Sequence, residues 1–434
     1  MHTTRRTWIT ALAAAVTGGL VLSACSGGDA DAEGGDSSGP TTLTIANWQF
    51  NDTEKGRTLW AAIEDYSGPD ENITLENVGS AFGNYADRLN TMLGAGEGPD
   101  VMIMLEAQAH ELADAGLLEP LDDIAEEMGD SLNGTNESGV ILDQQYGFNW
   151  ERPTYNTMIY NQDVLDAVGA EVPTTYDEFI DVSETIRDSQ DAFDLPQEVF
   201  GFAGRHQTNE LNGWILEMAN WIYGHGGELS DGSELTIASD ANVAAVQAHL
   251  DLFASGVPPL GDDASTFRAK FGQGQIGMSF ENSGVATTMA TDPDNVIDGT
   301  NLGAAPLPLP NPGGHSQLLI TVNADSENVE AAKDFIRWFL TDEAQEAIRL
   351  GHGASALATD VPLDPEFAEA NPWAEQFIES ASDSRSTLVA GFELDSVMIW
   401  REFLTAVEEL RINGGDIRES LEQVQETVEA ELGR

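Results

Sequence analysis

The chain has 434 residues, with 18 Lys plus Arg against 75 Asp plus Glu and a formal net charge of −57. So acidic a surface repels phosphate backbones, which excludes nucleic-acid binding as a function. The 41% apolar residues and nine tryptophans exclude a disordered chain, and at roughly 150 residues per domain the length predicts two domains or one two-lobed body.

The N-terminal residues predict export and a lipid anchor. Arg5 and Arg6 precede an apolar stretch at 8–22, which is the pattern of a signal peptide over residues 1–24, with Sec and twin-arginine export both open. The following Leu22-Ser23-Ala24-Cys25 resembles the bacterial lipobox, so we expect lipid on Cys25, the only cysteine in the chain. Residues 25–41 are mostly Gly, Ser, Ala, Asp and Glu, which predicts a flexible tether at the outer face of a membrane.

A first βαβαβ unit follows the tether. The spacing of apolar residues predicts strands at 41–47, 73–78 and 101–105, with helices at 53–66 and 85–94 between them. In open parallel sheets ligands bind beyond the carboxyl ends of the strands, where Trp48, Gln49 and Glu106 lie in this sequence. No glycine fingerprint for a dinucleotide follows the first strand, so neither a nicotinamide nor a flavin cofactor is implied.

A second unit begins near residue 145. Asn149 and Trp150 lie in an extended polar and aromatic segment, and a strand is predicted at 157–161. Further helices are predicted from a capping box at Thr175 and Glu178, at 242–253, at 331–349 and at the C-terminus from 417. Trp214 and Trp221 stand among apolar residues, so at least one of them is expected in the core.

Seven segments resemble, in the same order, the carbohydrate-type extracellular solute-binding proteins that serve ABC importers. They are YADRLNT at 85–91, GAGEGPDV at 94–101, AGLLEPLD at 115–122, IYNQD at 159–163, VPTTYDEF at 172–179, FGQGQIGM at 271–278 and AAKDFI at 331–336. Each segment is weakly specific alone, whereas their common order behind a lipobox is specific.

The resemblance implies an α/β protein with the two-lobed fold of periplasmic binding proteins, in which each lobe is a mostly parallel sheet flanked by helices and hinge crossings join the lobes. By analogy lobe 1 comprises 42–152 plus 317–352, and lobe 2 comprises 153–316 plus 353–434. It further implies a monomer that captures a carbohydrate between its lobes, uses no cofactor or metal, and delivers the sugar to ABC importer permease subunits.

Sugars are recognised by aromatic rings that stack on pyranose faces and by carboxylates, amides and arginines that bond hydroxyls. Several aromatics fit a di- or oligosaccharide better than a single hexose, because a longer glycan offers more ring faces. The predicted ligand-binding residues are Trp48, Gln49, Glu106, Asn149, Trp150, Trp214, Trp221, Glu281, Asn282, His352 and Ser355.

Other functions stay open at this point. The sequence has no Gly-x-Ser-x-Gly elbow, His-Glu-x-x-His helix or phosphate loop, so we expect no enzyme, yet two cleft carboxylates would suit a surface glycoside hydrolase. The excess of carboxylates is also compatible with a binder of a polyamine or peptide. A surface lipoprotein that senses or adheres is a further class.

Overall fold

Two β-sheets organise the computed structural model, which describes residues 40–51, 54–69, 71–311, 313–381 and 383–433. The predicted signal peptide, the predicted lipidation residue Cys25 and all but the last two residues of the predicted tether lie outside these ranges. Of the helices in the described ranges, none is long and apolar enough to cross a bilayer.

Strands and helices alternate through most of the described chain. The strands are β1 (Thr41–Ala46), β2 (Ile73–Asn77), β3 (Val101–Leu105), β4 (Val140–Ile141), β5 (Gln144–Gln145), β6 (Gly147–Glu151), β7 (Thr157–Asn161), β8 (Phe200–Ala203), β9 (Ile276–Phe280), β10 (Leu302–Pro306), β11 (Gly314–His315), β12 (Leu318–Val322) and β13 (Arg385–Ser386). The helices are α1 (Glu54–Ile63), α2 (Phe82–Gly94), α3 (Glu106–Asp114), α4 (Asp122–Met128), α5 (Gln162–Val168), α6 (Tyr176–Asp188), α7 (Leu211–Gly224), α8 (Asp240–Ala254), α9 (Ala264–Gly272), α10 (Ser283–Thr291), α11 (Val329–Phe339), α12 (Asp342–His352), α13 (Pro365–Ala370), α14 (Ala374–Ala381), α15 (Ser396–Asn413) and α16 (Ile417–Glu431). Short 3-10 helices lie at Trp48–Asn51, Gly129–Ser131, Gly134–Gly139, Gln190–Ala192, Thr208–Glu210 and Glu393–Asp395.

The first sheet has the strand order β2-β1-β3-β12-β6. Its central strand β3 is apolar throughout, and its residues alternate between two cores: Val101 and Ile103 pack on one face, Met102 and Met104 on the other. A strand covered on both faces has no solvent side, which explains the uninterrupted apolar run in its sequence. Both faces of this sheet are therefore closed by helices and loops.

The second sheet has the order β10-β7-β9-β8, and it too is covered on both faces, since Met158 and Ile159 of β7 belong to different cores. The larger of these cores also contains the inward face of α15 and α16, including Phe403 and Leu421. The C-terminal helices therefore pack with the second sheet.

The chain passes between the sheets three times. It leaves the first sheet after β6, returns at β12 and leaves again after α12. The passing segments lie side by side, because Arg152 forms an isolated bridge with Ala356, and Thr154 forms one with His315. These backbone pairs place the three passages together at one edge of the space between the sheets.

The two-lobed α/β fold class is confirmed, but both sheets are more mixed than predicted. β1 is parallel to β2 and β3, whereas β12 runs antiparallel to β3 and β6. In the second sheet only β8 and β9 pair in parallel, since β7 is antiparallel to β9 and β10. The antiparallel pairs involve β6, β7 and β12, the strands next to the passages between the sheets. The direction of each of these strands depends on where its passage enters or leaves the sheet.

Helix boundaries were predicted unevenly. The capping box is confirmed, since Thr175 Oγ1 accepts from the Glu178 amide at 3.3 Å and Glu178 Oε2 accepts from the Thr175 amide at 3.2 Å. The single helix predicted at 331–349 is wrong, because the structure has α11 and α12 there. Thr341 caps the second helix by accepting from the Ala344 amide, which gives that turn its own helix start.

Candidate functional site

A cavity of about 790 Å³ lies between the two sheets and is lined from both. Small-molecule sites in proteins commonly measure about 300–1,000 Å³, so its size suits a ligand of that kind. The first-sheet side contributes Trp48, Gln49, Lys55, Glu106 and Glu151. The facing side contributes Tyr155, Arg205, Asn209, Arg268, Asn282 and Trp400.

Four of the predicted residues line this cavity: Trp48, Gln49, Glu106 and Asn282. Each lies within three residues of the end of a strand: Trp48 and Gln49 follow β1, Glu106 follows β3, and Asn282 follows β9. Trp48 is partly exposed and packs edge-on against Tyr85, with ring centroids 5.1 Å apart. The indole is therefore held by Tyr85 on one side and also lines the cavity. The four residues that the sequence placed after strand ends therefore lie together at this cavity.

Three further predicted residues, Trp150, His352 and Ser355, join Gln49 around one buried carboxylate that was not singled out in the sequence, Glu151. Gln49 Nε2 donates to Glu151 Oε2 at 2.5 Å and Ser355 Oγ donates to Glu151 Oε1 at 2.9 Å. His352 Nδ1 lies 3.3 Å from Glu151 Oε2. Trp150 joins indirectly, because its Nε1 donates to Gln49 Oε1 at 2.7 Å. Of these four only Gln49 reaches the cavity, so the other three support the site from behind.

The charge of Glu151 is balanced locally. Burial acts to raise the pKa of Glu151, but the Lys55 ammonium, which donates at 2.9 Å, and His352 hold that pKa well below its usual range. For His352 burial is the largest effect and lowers the pKa, against the opposing charge of Glu151. The cavity wall here carries an ion pair with its hydrogen bonds made, as a buried charge requires.

Asn149 is also buried behind the wall. Its Nδ2 donates to Thr135 Oγ1 at 2.9 Å, and its Oδ1 accepts from Gln317 Nε2 at 2.7 Å. Gln317 itself lines the cavity and also bonds the Arg152 guanidinium. Asn149 therefore orients a lining amide on the second passage between the sheets.

Glu281 was predicted as a ligand contact but does not line the cavity. Its two arginine partners, which the sequence analysis missed, do line it. Arg268 binds Glu281 through two hydrogen bonds of 2.8 Å each, and Arg205 lies 3.3 Å away. Burial acts to raise the pKa of Glu281, yet these two arginines lower it, so the group is a carboxylate. A carboxylate directly after a buried strand demands a cation, and this was the available signal for the arginines.

Arg205 has a second acidic neighbour, Glu217, on α7. Burial raises the pKa of Glu217 to about 8, against the opposing charge of Arg205. Glu217 Oε2 still accepts from the Arg205 amide at 2.7 Å. Arg205 is 3% exposed and is therefore fixed by its neighbours before any ligand arrives.

Trp214 and Trp221 do not lie at the cavity. Both are 0% exposed, and they occupy the same face of α7, seven residues apart in sequence, where each packs against His249. The adjoining face of α7 carries Ile215 and Leu216, which do line the cavity. In this conformation the two predicted stacking platforms are core residues, because the apolar run in which they lie is turned inward.

Two aromatic residues at the cavity were not among the predicted ligand contacts. The Tyr155 hydroxyl accepts a hydrogen bond from Asn282 Nδ2 at 2.6 Å, and Trp400 Nε1 donates to the Thr387 carbonyl at 2.8 Å. Both rings are mostly buried and line the cavity. They replace Trp214 and Trp221 as aromatic groups on the side of the second sheet.

Glu106 is a lining carboxyl group whose pKa is raised rather than lowered. Burial raises the pKa of Glu106 to about 7, against the opposing effects of a hydrogen bond from Ser386 and the charge of Arg152. Ser386 Oγ donates to Glu106 Oε2 at 3.0 Å, which links a first-sheet residue to β13. In the described part of the chain no group of three or more His, Cys, Asp or Glu is arranged to hold a metal ion.

Two lobes with a cavity between them, lined by polar groups and aromatic rings from both, have the maltose-binding-protein-like two-lobed fold. The family model for bacterial extracellular solute-binding proteins matches residues 51–346, and the chain belongs to that family.

Among curated relatives, the diacetylchitobiose binding protein DasA of Streptomyces coelicolor is 27% identical over 396 residues, covering 86% of this chain and 85% of the relative. The maltotriose-binding protein of Pyrococcus abyssi is 24% identical over 340 residues, covering 74% and 67%. Among solved structures, the cyclic alpha-maltosyl-1,6-maltose binding protein from Arthrobacter globiformis has a TM-score of 0.75 at 20% identity, covering 90% of this chain and 99% of that one. Maltose-bound T. maritima MalE3 has a TM-score of 0.74 at 19% identity, covering 89% and 99%.

Proposed function

We propose that this chain is the substrate-binding component of an ABC importer and that it captures a di- or oligosaccharide between its two lobes. The observation that carries the proposal is the cavity of about 790 Å³, which presents aromatic rings and hydrogen-bonding side chains from both sides. The relatives named for diacetylchitobiose and maltotriose support a ligand longer than one sugar ring.

The mechanism follows from the two-sided lining. An open form admits the sugar, and the lobes close over it because the closed form offers contacts from both sheets at once, which stabilises that form. Trp48 stacks on a ring face, while Gln317, Asn282 and the fixed arginines bond hydroxyls. Micromolar affinity, about 8 kcal/mol, suffices for scavenging. The loaded monomer then docks on the permease, where ATP hydrolysis on other subunits drives import.

Of the alternatives, a polyamine ligand fits the cavity poorly. Four cations line it, Lys55, Arg205, Arg268 and Arg401, against three carboxylates, Glu106, Glu151 and Glu210. The whole chain has 18 Lys plus Arg against 75 Asp plus Glu, so the cavity is depleted of acidic groups relative to the rest of the protein. A cationic ligand would gain little from such a lining, whereas a neutral hydroxylated one finds donors and acceptors together.

We further propose lipidation at Cys25, which would hold the protein on the outer face of the membrane. Expression in a bacterial host should give a protein that partitions into detergent and carries a diacylglyceryl mass on Cys25. The variant Cys25→Ala should be released in soluble form. A wild-type protein found free of lipid would remove this part of the proposal without affecting sugar binding.

A thermal-shift screen tests the binding function. Mono-, di- and oligosaccharides of glucose and N-acetylglucosamine are compared with spermidine and a short peptide. Binding of a glycan without release of shorter products, checked by chromatography, supports the proposal. Stabilisation by spermidine or the peptide alone would favour the other solute class, and product release would indicate a glycoside hydrolase.

A further inference from the structure

A second, smaller cavity of about 210 Å³ adjoins the first one. Thr387, Leu388 and Trp400 line both cavities, so the two spaces share a wall. A water molecule occupies about 30 Å³ in the liquid, so the second cavity is several times larger than the volume of one water molecule. Its remaining walls come from the end of α7, the segment after it and β13.

The polar groups of this second cavity are arranged around one arginine. The Arg385 guanidinium lies over the Tyr223 ring at 4.6 Å from its centroid, and it pairs with the Glu228 carboxylate. The Tyr223 hydroxyl donates to the Ser386 carbonyl at 2.8 Å, which fixes the ring beneath the arginine. The Arg385 and Glu228 side chains are 40% and 46% exposed, so both keep free hydrogen-bonding capacity.

The partition between the cavities runs through Ser386. Ser386 lines the second cavity, and its hydroxyl donates to Glu106, which lines the first. This side-chain hydrogen bond anchors the dividing segment to the start of α3, directly after β3 of the first sheet. Adjacent Thr387 lines both spaces, so a ligand in the first cavity lies beside the wall that it shares with the second.

We propose that the second cavity is a subsite that receives the end of an oligosaccharide too long for the first cavity alone. Arg385 and Glu228 supply a donor and an acceptor for neighbouring hydroxyls, and the apolar side chains of Leu229 and Leu388 cover a ring face. The inference rests on the proposed sugar-binding function and adds to it that affinity grows with the length of the glycan.

Calorimetric titration with two series of glycans, malto- and chito-oligosaccharides from the disaccharide to the hexasaccharide, tests this subsite. The measured quantity is the ratio of affinities for the longest and shortest ligand of the series that binds. We expect a ratio of about ten or more in the wild type and a ratio near one in Arg385→Ala, since lost contacts of about 1.4 kcal/mol correspond to tenfold. Glu228→Gln keeps the size of the side chain and should lower the ratio as well.

Arg418→Ala is the matched control, because Arg418 is about as exposed as Arg385 and pairs with an acidic residue, Asp240, while neither Arg418 nor Asp240 lines either cavity. It should keep the wild-type ratio. An equal affinity for short and long glycans in the wild type, or an unchanged ratio in both Arg385→Ala and Glu228→Gln, would overturn the subsite while sugar binding stands. Failure of both series to bind the wild type at all would overturn the proposed function together with it.

Discussion

The indole Nε1 of Trp150 donates a hydrogen bond to Gln49 Oε1 at 2.7 Å, although Trp150 is fully buried and only Gln49 lines the cavity. The amide nitrogen of the same glutamine donates to Glu151. Gln49 Oε1 also accepts from Asn47 Nδ2 at 3.4 Å. Gln49 is thus held at both ends of its amide, with one N–H left for a ligand. The wall of the cavity is organised by buried neighbours before a ligand binds.

Replacing Trp48 by Ala should weaken glycan binding while the protein stays folded. The indole is partly exposed at the cavity, so its loss removes a stacking face without opening the core. We expect a loss of about 2 kcal/mol, roughly thirtyfold in Kd, by calorimetry. Trp60, partly buried against Phe50 and outside the cavity lining, is the matched control. A Trp60→Ala variant that loses as much affinity would argue against stacking on Trp48.

Replacing Trp221 by Ala should instead act on stability. The ring is 0% exposed and packs against Tyr176, His249 and Phe280, so its removal leaves a large internal void. The expected cost is about 3–5 kcal/mol in the free energy of unfolding, measured by urea titration. Unchanged stability combined with lost glycan affinity would return Trp221 to the ligand site.

Neutralising Glu281 should destabilise the protein strongly. Glu281→Gln leaves Arg205, which is 3% exposed, without its closest full charge, and breaks the paired contacts to Arg268. Breaking a buried ion pair on one side typically costs about 3–5 kcal/mol. Asp334→Asn removes a partner of Arg337 at the surface and should change the unfolding free energy by no more than about 1 kcal/mol. Equal effects of the two variants would contradict the buried role of Glu281.

Glu106 should make stability depend on pH. The pKa of this carboxyl group is 4.5 in the unfolded chain, and burial raises that pKa to about 7 in the folded chain. Between these values the folded state binds more protons, so stability falls as pH rises, and the penalty is complete above pH 7. Its size is at most about 3 kcal/mol.

The variant Glu106→Gln isolates this effect. It should be more stable than the wild type at pH 8, and the difference should shrink towards pH 5, as measured by urea unfolding at both values. Glu64→Gln, at an exposed position after α1, is the control for removing one carboxyl group from the surface. A constant offset between Glu106→Gln and the wild type would mean that Glu106 is already ionised at pH 5.

The sequence predicted the parts of the fold and site that depend on local pattern. The strand at Val101–Leu105 and the polar residues after it follow from apolar continuity and from the geometry of strand ends. The directions of β6, β7 and β12 did not follow, because they depend on which sheet each passage joins. Likewise, an aromatic run such as the one at Trp214 and Trp221 cannot reveal which face of its helix turns inward.

Residues brought together from distant parts of the chain were the hardest to predict. Glu151 bonds Gln49 and Lys55, which lie 102 and 96 positions before it in the sequence. It also bonds Ser355, which lies 204 positions after it. Arg205 and Arg268 reach Glu281 from two different elements. Chain pattern carries no signal for such partners beyond the rule that a buried charge needs a counter-charge.

The most direct measurement is calorimetric titration of the purified protein with the glycan that gives the largest thermal shift. The account predicts one saturable site per chain, with Kd in the micromolar range or tighter, and recovery of the glycan intact after the titration. Absence of binding heat with every di- and oligosaccharide that is tested, or the appearance of shorter products, would contradict it.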